Sequence, residues 1–487
     1  MSISGALSNA LSGLTASSRA AEMVSNNVAN ALTEGYARRE LVLGARSLGG
    51  TGQGVAVRGV QRQVDLVLLS DRRVAQASTG DRQTRAQFFG RLEAAIGVPG
   101  AEGSLTASIA ALETTLIEAA SRPQSEGRLS NVAGAARALA NQIGDAGTAV
   151  QAARADADHT IGAQVAQLNA AMARVAEMNV GIREHLSSGR DPSAMMDERQ
   201  QLIDQIDAIL PLREVQRDHG QIALFTTGGA VLVDGRAAQF GFTTAGVVEA
   251  DMTVASVGLS GGLSGLTLNG LPIATDGPYS TISGGSLAAH FAVRDDLAPA
   301  AQAKLDAVAR DLVERFGALD PTLAPGAPGL FTDAGGAFLP ANEVGLAQRL
   351  SLNPAADPLQ GGALWRLRDG LGATSPGPTG NSALLGALQT ALTALRQPVS
   401  GDFLPGSRSF ASLTADMLSI AGTARLSAET EASFSAARSE GLRVQELQGG
   451  VDTDREMQDL LQIEKAFAAN AKVIQTVDEM LDLLLGM

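Results

Sequence analysis

The sequence predicts a mainly α protein, a long helical bundle and coiled-coil body formed from the N- and C-terminal regions and interrupted by a β-rich insert. Three observations lead there. Both ends carry stripes in alternating steps of three and four: Ile3, Leu7, Ala10, Leu14, Ser17, Ala21, Val24 and Val28, then Leu460, Ile463, Phe467, Asn470, Ile474, Val477, Leu481 and Leu484. Such spacing holds side chains on a narrow seam that another helix must cover. Long stretches between them are rich in Ala, Leu, Gln, Arg and Glu with few breakers. Across 213–285 the helical period gives way to short apolar runs amid frequent glycine.

The first helix ends in an Asn-rich, Gly-marked turn, Ser25-Asn26-Asn27-Val28-Ala29-Asn30 followed by Thr33-Glu34-Gly35-Tyr36-Ala37-Arg38. Residues 40–64, with glycines from Gly49 to Gly54 and Val55, Val57 and Val60 in alternation, read as a loop plus a short strand. Helices are expected over 64–96, 104–120, 125–186 and 194–210, punctuated by Pro99-Gly100, Pro123, the turn Ser188-Gly189-Arg190-Asp191-Pro192, and Pro211. In the insert, Ile222 to Phe225, Ala230 to Val233, and Leu263, Leu266, Leu268, Leu271 and Ile273 are the strand-like runs. Helix resumes at Ser286 and runs to Phe316. Pro321, Pro325 and Pro328 mark a loop, 339–406 reads as short helices and connections, and 407–448 as another long helix broken by Gly449-Gly450. Asp452 or Thr453 caps the last helix. The expected organisation is 1–63, an N-terminal coiled-coil assembly segment pairing with 452–487; 64–212 and 286–451, two parts of one helical body; 213–285, the β-rich insert; and 452–487, the C-terminal assembly helix. Burial of so small a seam makes the terminal pair marginal alone, so both ends are expected to order when neighbouring subunits cover them.

The 487 residues, 45% hydrophobic, suffice for two to four domains. With aromatics at 3%, the core must be filled by Ala, Leu, Val and Ile. The net charge of -14 and the absence of a basic run argue against nucleic acid as partner. No cysteine is present, which removes disulfides and thiolate chemistry. No apolar stretch approaches the roughly 18 residues of a membrane span, and no cleavable secretion signal is expected at the N-terminus.

Gly258-Leu259-Ser260-Gly261-Gly262 matches the outline of a nucleophile elbow, but glycine and strand-like residues follow it where a helix is required. His159, His185, His219 and His290 fall on different elements. Asp452-Thr453-Asp454 lacks the glycine and distal glutamate of a calcium loop and reads as a helix cap. No catalytic, cofactor or metal residue is therefore expected. The candidate site is an assembly interface: Leu7, Leu11, Leu14, Val24, Val28, Asn26, Asn27, Asn30, Gly35 and Tyr36 with Leu460, Ile463, Phe467, Asn470, Ile474, Val477, Leu481 and Leu484. Asn470 interrupts the apolar stripe and reads either as register control or as a tolerated polar position.

Taken together, Ser25 to Asn30 with Gly35-Tyr36, and Gly450-Val451-Asp452, Glu456-Met457, Leu460, Ala466-Phe467, Ala471 to Ile474 and Asp478 to Leu481, resemble the terminal signatures of bacterial flagellar axial proteins. The middle is more discriminating. Asp197-Glu198-Arg199-Gln200-Gln201-Leu202-Ile203-Asp204, then Gly284 to Leu287 with Arg294-Asp295 and Leu305 to Ala309, resemble the FlgK-type first hook-associated family. Ile463-Glu464, Phe467 and Asp452 depart from the aromatic-Gln, Tyr and Asn usual there. The resemblance implies a non-enzymatic, extracellular adaptor at the hook-filament junction, exported without a cleaved signal and assembled as a ring. Its implied partners are itself, the hook protein, the next junction protein and an export chaperone on the C-terminal helix, with no nucleic acid and no membrane insertion. The alternatives are another axial protein, either a second junction protein or a flagellin-like chain, and a cytosolic coiled-coil scaffold.

Overall fold

The computed structural model describes residues 3–33, 35–48, 51–98, 101, 103–254, 262–277 and 280–486. Helix α1 (Ile3–Ala29) leads into a two-stranded antiparallel hairpin, β1 (Arg38–Leu48) and β2 (Thr51–Gln63). Four helices follow: α2 (Leu66–Ile96), α3 (Leu105–Ser121), α4 (Glu126–Ser187) and α5 (Ser193–Ile209). The insert holds a four-stranded antiparallel sheet, β3 (Leu212–Gln216), β4 (Ile222–Thr226), β5 (Val231–Asp234) and β6 (Arg236–Ala237), paired in sequence order. Beside it lies a three-stranded sheet of β7 (Phe240–Gly241), β8 (Leu266–Leu268) and β9 (Leu271–Ile273). The second helical part comprises α6 (Ser286–Ala292), a π turn (Val293–Leu297) and α7 (Ala298–Gly317). Next come β10 (Phe331–Asp333), α8 (Leu346–Arg349), β11 (Leu350–Leu352), α9 (Arg366–Asp369) and α10 (Ala383–Thr393), then the long α11 (Phe410–Gln448) and α12 (Thr453–Leu485).

The chain is thus mainly α with a β-rich insert. Helix boundaries follow side-chain caps: Asp65 accepts from the Val67 and Leu68 amides, Ser104 from Ala107, Ser409 from Ser412, and Asp452 from Asp454 and Arg455. Asp452 is therefore a cap. The glycine motif at Gly258-Leu259-Ser260-Gly261, Pro99-Gly100 and the tip glycines Gly49-Gly50 lie outside the described residues.

One expectation is overturned. Residues 40–64 are not a loop with a short strand but most of a long hairpin whose register shifts twice, between Val42 and Leu43 and between Ala45 and Ser47. Bulges break the side-chain alternation by which a strand is recognised.

Helix α4, 62 residues and about 90 Å long, is the spine. Its first half, Leu129 to Ala157, packs into a core with α2, α3, α7, α10 and the start of α11. From Ile161 to Val175 it enters a second core with α5, α6 and the insert. Asp158 lies between the two, fully buried against Arg294. The π turn supplies that arginine: the Ala298 amide donates to the Val293 carbonyl, five residues back, and the extra residue turns Arg294 inward. Its guanidinium donates to Asp158 Oδ1 at 2.7 Å, to Asp295 at 2.8 and 2.9 Å and to the Ser264 carbonyl at 2.9 Å, flanked by the Phe242 and Phe291 rings. Arg154 ties down the adjoining loop through the Glu249, Ala250 and Met252 carbonyls.

Helices α2 and α11 run antiparallel, linked by Arg72–Glu446, Thr79–Ser435, Arg82–Glu431 and Arg425–Glu93. Antiparallel α1 and α12 extend from the same end, Gly13 facing Asn470 and Asn27 facing Glu456.

Candidate functional site

The two terminal helices meet the body at one polar node. Asn27, 1% exposed, uses its whole amide there: Nδ2 donates to the Arg39 carbonyl (2.9 Å) and to Glu456 Oε2 (3.0 Å), while Oδ1 accepts from the Tyr36 hydroxyl (2.8 Å) and the Arg39 amide (3.0 Å). Glu456 is as deeply buried and is held on its other oxygen by Arg38. Arg38 also reaches Glu40 and Asp459. One turn away, Asp197 of α5 takes Arg39 and Arg62, and Arg62 bonds Gln200. Gly35 has φ +79, and a Cβ there would lie 2.7 Å from Gln201 Cγ, so glycine is needed both for the turn and for the approach of α5. Arg39 stacks over the Tyr36 ring at 4.9 Å. Burial pushes the Tyr36 hydroxyl pKa up, Arg39 opposes this, and Asp197 and Glu456 add to it. A second tier follows at Asp204, which binds both Arg72 and Arg73 of α2. A polar cleft of about 690 Å³ opens beside the node, lined by Tyr36, Gln201, Asp204, Arg443 and Glu446 among others.

The structure brings the expected residues together unevenly. Asn27, Val24 and Val477 are buried, and Leu14, Asn30, Gly35, Tyr36, Leu460, Ile463, Asn470 and Ile474 are half-buried. Leu7, Leu11, Asn26, Val28, Phe467, Leu481 and Leu484 are exposed within the single chain. On α1 the buried positions are Ala10, Ala16, Ser17, Val24 and Asn27, of which Ala10, Ser17 and Val24 belong to the expected stripe and none is a leucine; a Cβ on Gly13 would sit 2.6 Å from Asn470 Nδ2. Asn470 thus seats on Gly13, where α1 has no side chain. The residues that sequence reasoning passed over are Arg38, Arg39, Asp197 and Glu456. The Asp197 to Asp204 run had stood out as a family pattern, and its spacing puts Asp197, Gln200, Gln201 and Asp204 on the single helix face that receives the termini.

Asn27→Leu is expected to leave Glu456 and the Tyr36 hydroxyl short of partners, at ~2–3 kcal/mol. The loss should appear as faster hydrogen exchange over 24–39 and 453–460, with exchange in α4 unchanged.

His159 and His290 line a separate cleft of about 320 Å³ with Arg91 and Asp156, while His185 and His219 lie elsewhere. Among the described residues no group of three or more His, Asp or Glu is placed to hold a metal ion, and no helix is long and apolar enough to cross a membrane.

Comparison with known proteins assigns the node's parts. The family described as the flagellar hook-associated protein FlgK helical domain matches residues 89–321, which include α5 and the insert. The middle of the chain, just under half of it, is thus similar to the FlgK type of flagellar hook-associated proteins. Around that domain, residues 7–36 match the flagella basal body rod protein family, and 448–487 the C-terminal family of flagellar basal body rod FlgEFG proteins. Flagellar hook-associated protein 1 of Salmonella typhimurium is 27% identical over 244 residues, 49% of this chain and 44% of that protein. Its Bacillus subtilis counterpart is 26% identical, covering 47% of each. The aligned part therefore spans less than half the length of these relatives. The solved structure of the flagellar hook junction protein FlgK from Burkholderia pseudomallei aligns at 21% identity with TM-score 0.43, over 54% of this chain and 46% of that one.

Proposed function

We propose that this chain is a structural adaptor of the bacterial flagellum that joins the hook to the filament, assembling with copies of itself into a ring through its terminal helices. The observation that carries the reading is the node. Segments that match rod-type families at both ends are paired with each other and fastened, through Asn27, Glu456 and Asp197, to a domain that matches the FlgK helical family. A rod-like stem is thereby coupled to a distinct body, as a junction between two tubes requires. In this reading 1–63 and 452–487 form the stem, 64–212 and 286–451 the body, and 213–285 an insert on it. Its function lies in shape and contacts rather than catalysis. The partners are the hook protein, the next junction protein and, before export, a chaperone covering α12; the working location is outside the cell, reached without a cleaved signal. The exposed Leu7, Leu11, Phe467, Leu481 and Leu484 await burial by neighbours.

Removing the gene is expected to yield hooks without filaments, with later flagellar subunits lost to the medium; normal swimming would overturn the reading. Leu460→Asp with Ile474→Asp is expected to abolish incorporation into flagella while the far-ultraviolet spectrum and denaturation midpoint of the body stay near those of the parent protein. Collapse of the whole protein would contradict a separable stem.

A further inference from the structure

The hairpin β1–β2 is a basic element in an acidic protein. Residues 38–63 contain Arg38, Arg39, Arg46, Arg58 and Arg62 against Glu40 alone, in a chain of net charge -14. The three arginines at its base are spent within the chain, Arg38 on Glu456 and Asp459 of α12, and Arg39 and Arg62 on Asp197. Arg46 and Arg58, nearer the tip, are exposed and make no ion pair or hydrogen bond among the described residues. Both sit at irregularities of the hairpin. Arg58 is the extra residue of the bulge where Val42 pairs Gly59 and Leu43 pairs Val57, and its guanidinium lies across Gly44, whose missing side chain makes the room. Arg46, two residues on from Gly44, lies in the second irregularity of the hairpin, between Ala45 and Ser47.

The complementary surface lies on α12. Its last ten residues hold Asp478, Glu479 and Asp482, all exposed, with no Lys or Arg among them and no partner among the described residues. That arrangement is unfavourable in an isolated helix, because carboxylates near a C-terminus oppose the helix dipole and Asp478 and Asp482 are like charges four residues apart. A cation from outside would relieve both. The two patches also lie at the same end of the stem. The Val55 amide donates to Ser12 Oγ and Gly13 faces Asn470, so Arg46 and the acidic turn are separated by only about two to three helical turns along the axis. Copies standing side by side, with a small axial offset, bring one chain's hairpin against the next chain's α12.

We propose that Arg46 and Arg58 of one copy dock on Asp478, Glu479 and Asp482 of a neighbouring copy of this chain, an electrostatic contact that repeats between chains the Arg38–Glu456 contact made within each. It rests on the reading that copies associate through their stems, and names the charged pair that sets their lateral register.

The absence of native cysteine makes a clean test. Full-length Arg46→Cys, carrying an affinity tag, is mixed with untagged Asp478→Cys under mild oxidation, so that only intermolecular disulfides can form. A tagged–untagged heterodimer is expected, at a yield well above that of the control mixture Arg46→Cys with Glu177→Cys, a site exposed on α4. Adding Arg58→Glu to the Arg46→Cys chain should lower the yield, as should high salt. In chains without introduced cysteines, R46E/R58E should weaken self-association by about tenfold, and D478R/E479R/D482R on a second chain mixed with it should restore it. If copies associate yet the heterodimer stays at control level, or charge reversal changes nothing, the docking proposal fails and stem assembly stands. If copies do not associate under any condition, both fail together. If R46E/R58E weakens binding only to a different flagellar protein, the partner is not a second copy and the proposal is overturned.

Discussion

Arg294→Ala is expected to destabilise the folded chain by ~3–5 kcal/mol, read as a fall in the denaturant midpoint followed by far-ultraviolet circular dichroism. The magnitude follows from what would be left behind. Asp158, with its side chain 1% exposed, would keep only the Ala245 amide on Oδ2, and its other oxygen would lose the guanidinium 2.7 Å away. The Ser264 carbonyl would lose its donor, and Phe242 and Phe291 the cation between them. An uncompensated buried carboxylate costs more than the pair is worth, so removing the charge as well should help. Asp158→Asn placed on Arg294→Ala is expected to recover ~1–2 kcal/mol, because the asparagine oxygen still accepts the Ala245 amide and needs no counter-ion. Equal stability of the single and double variants would show that burial of the charge is not the source of the loss. The site also lies where the two cores adjoin, Val293 belonging to one and Phe291 to the other. Its loss should therefore loosen the insert against the helical body, raising protease sensitivity across 243–254 while 129–150 stays protected.

What the sequence disclosed depended on whether the deciding interaction was local. Helices α2 to α5, α11 and α12 are set by composition, capping residues and prolines within a few positions of their ends, and their expected limits fall within a few residues of the observed ones, whereas the single helix expected over 286–316 is divided by the π turn into α6 and α7. The β-rich insert was equally legible, because Ile222 to Thr226 and Val231 to Asp234 are short apolar runs bounded by glycine. The hairpin was not. Its strands carry Gly44, Gly52, Gly54 and Gly59 and two bulges, and they are held by a partner strand and by α1 rather than by their own patterning.

The seam of α1 shows a different limit. Of the expected stripe, Ala10, Ser17 and Val24 are buried while Leu7 is exposed and Leu14 half-buried, and Gly13, which the stripe omits, is the position against Asn470. Hydrophobic ranking alone does not report which of several faces a given neighbour takes. The node was legible only as separate pieces. Asn27 and Glu456 are 429 positions apart, and nothing near either residue announces the other. A buried carboxylate reads as a solvated one until its arginine is known, which is why Glu456 and Asp197 were absent from the expected site while Asn27, Gly35 and Tyr36, marked by turn chemistry, were in it.

Asp207→Asn is expected to stabilise the protein in a pH-dependent way, with little effect near pH 4 and a gain of up to ~4 kcal/mol above pH 7. Asp207 stands in the last turn of α5, 1% exposed, with Oδ1 accepting the Leu212 amide at 3.0 Å across the Pro211 turn and Oδ2 without a partner. Burial drives its pKa from 3.8 to about 7, opposed by the Leu212 hydrogen bond and by Arg73 and Arg72 of α2, and reinforced by Asp204. The folded-state pKa therefore lies above the unfolded one. Below about pH 4 both states hold the proton and the contribution to stability is complete. Between about pH 4 and 7 the unfolded chain releases the proton while the folded chain retains it, so stability falls as pH rises. Above the folded pKa both states are ionised and the full loss, ~4 kcal/mol for a rise from 3.8 to about 7, has been incurred. Asparagine keeps the acceptor for Leu212 and never ionises, so it escapes this loss. Subtracting parent from variant at each pH cancels the titration of the other carboxylates, and the difference in unfolding free energy should climb across pH 4–7 and level off beyond it. A difference that stays flat across that range would place the Asp207 pKa near its ordinary value.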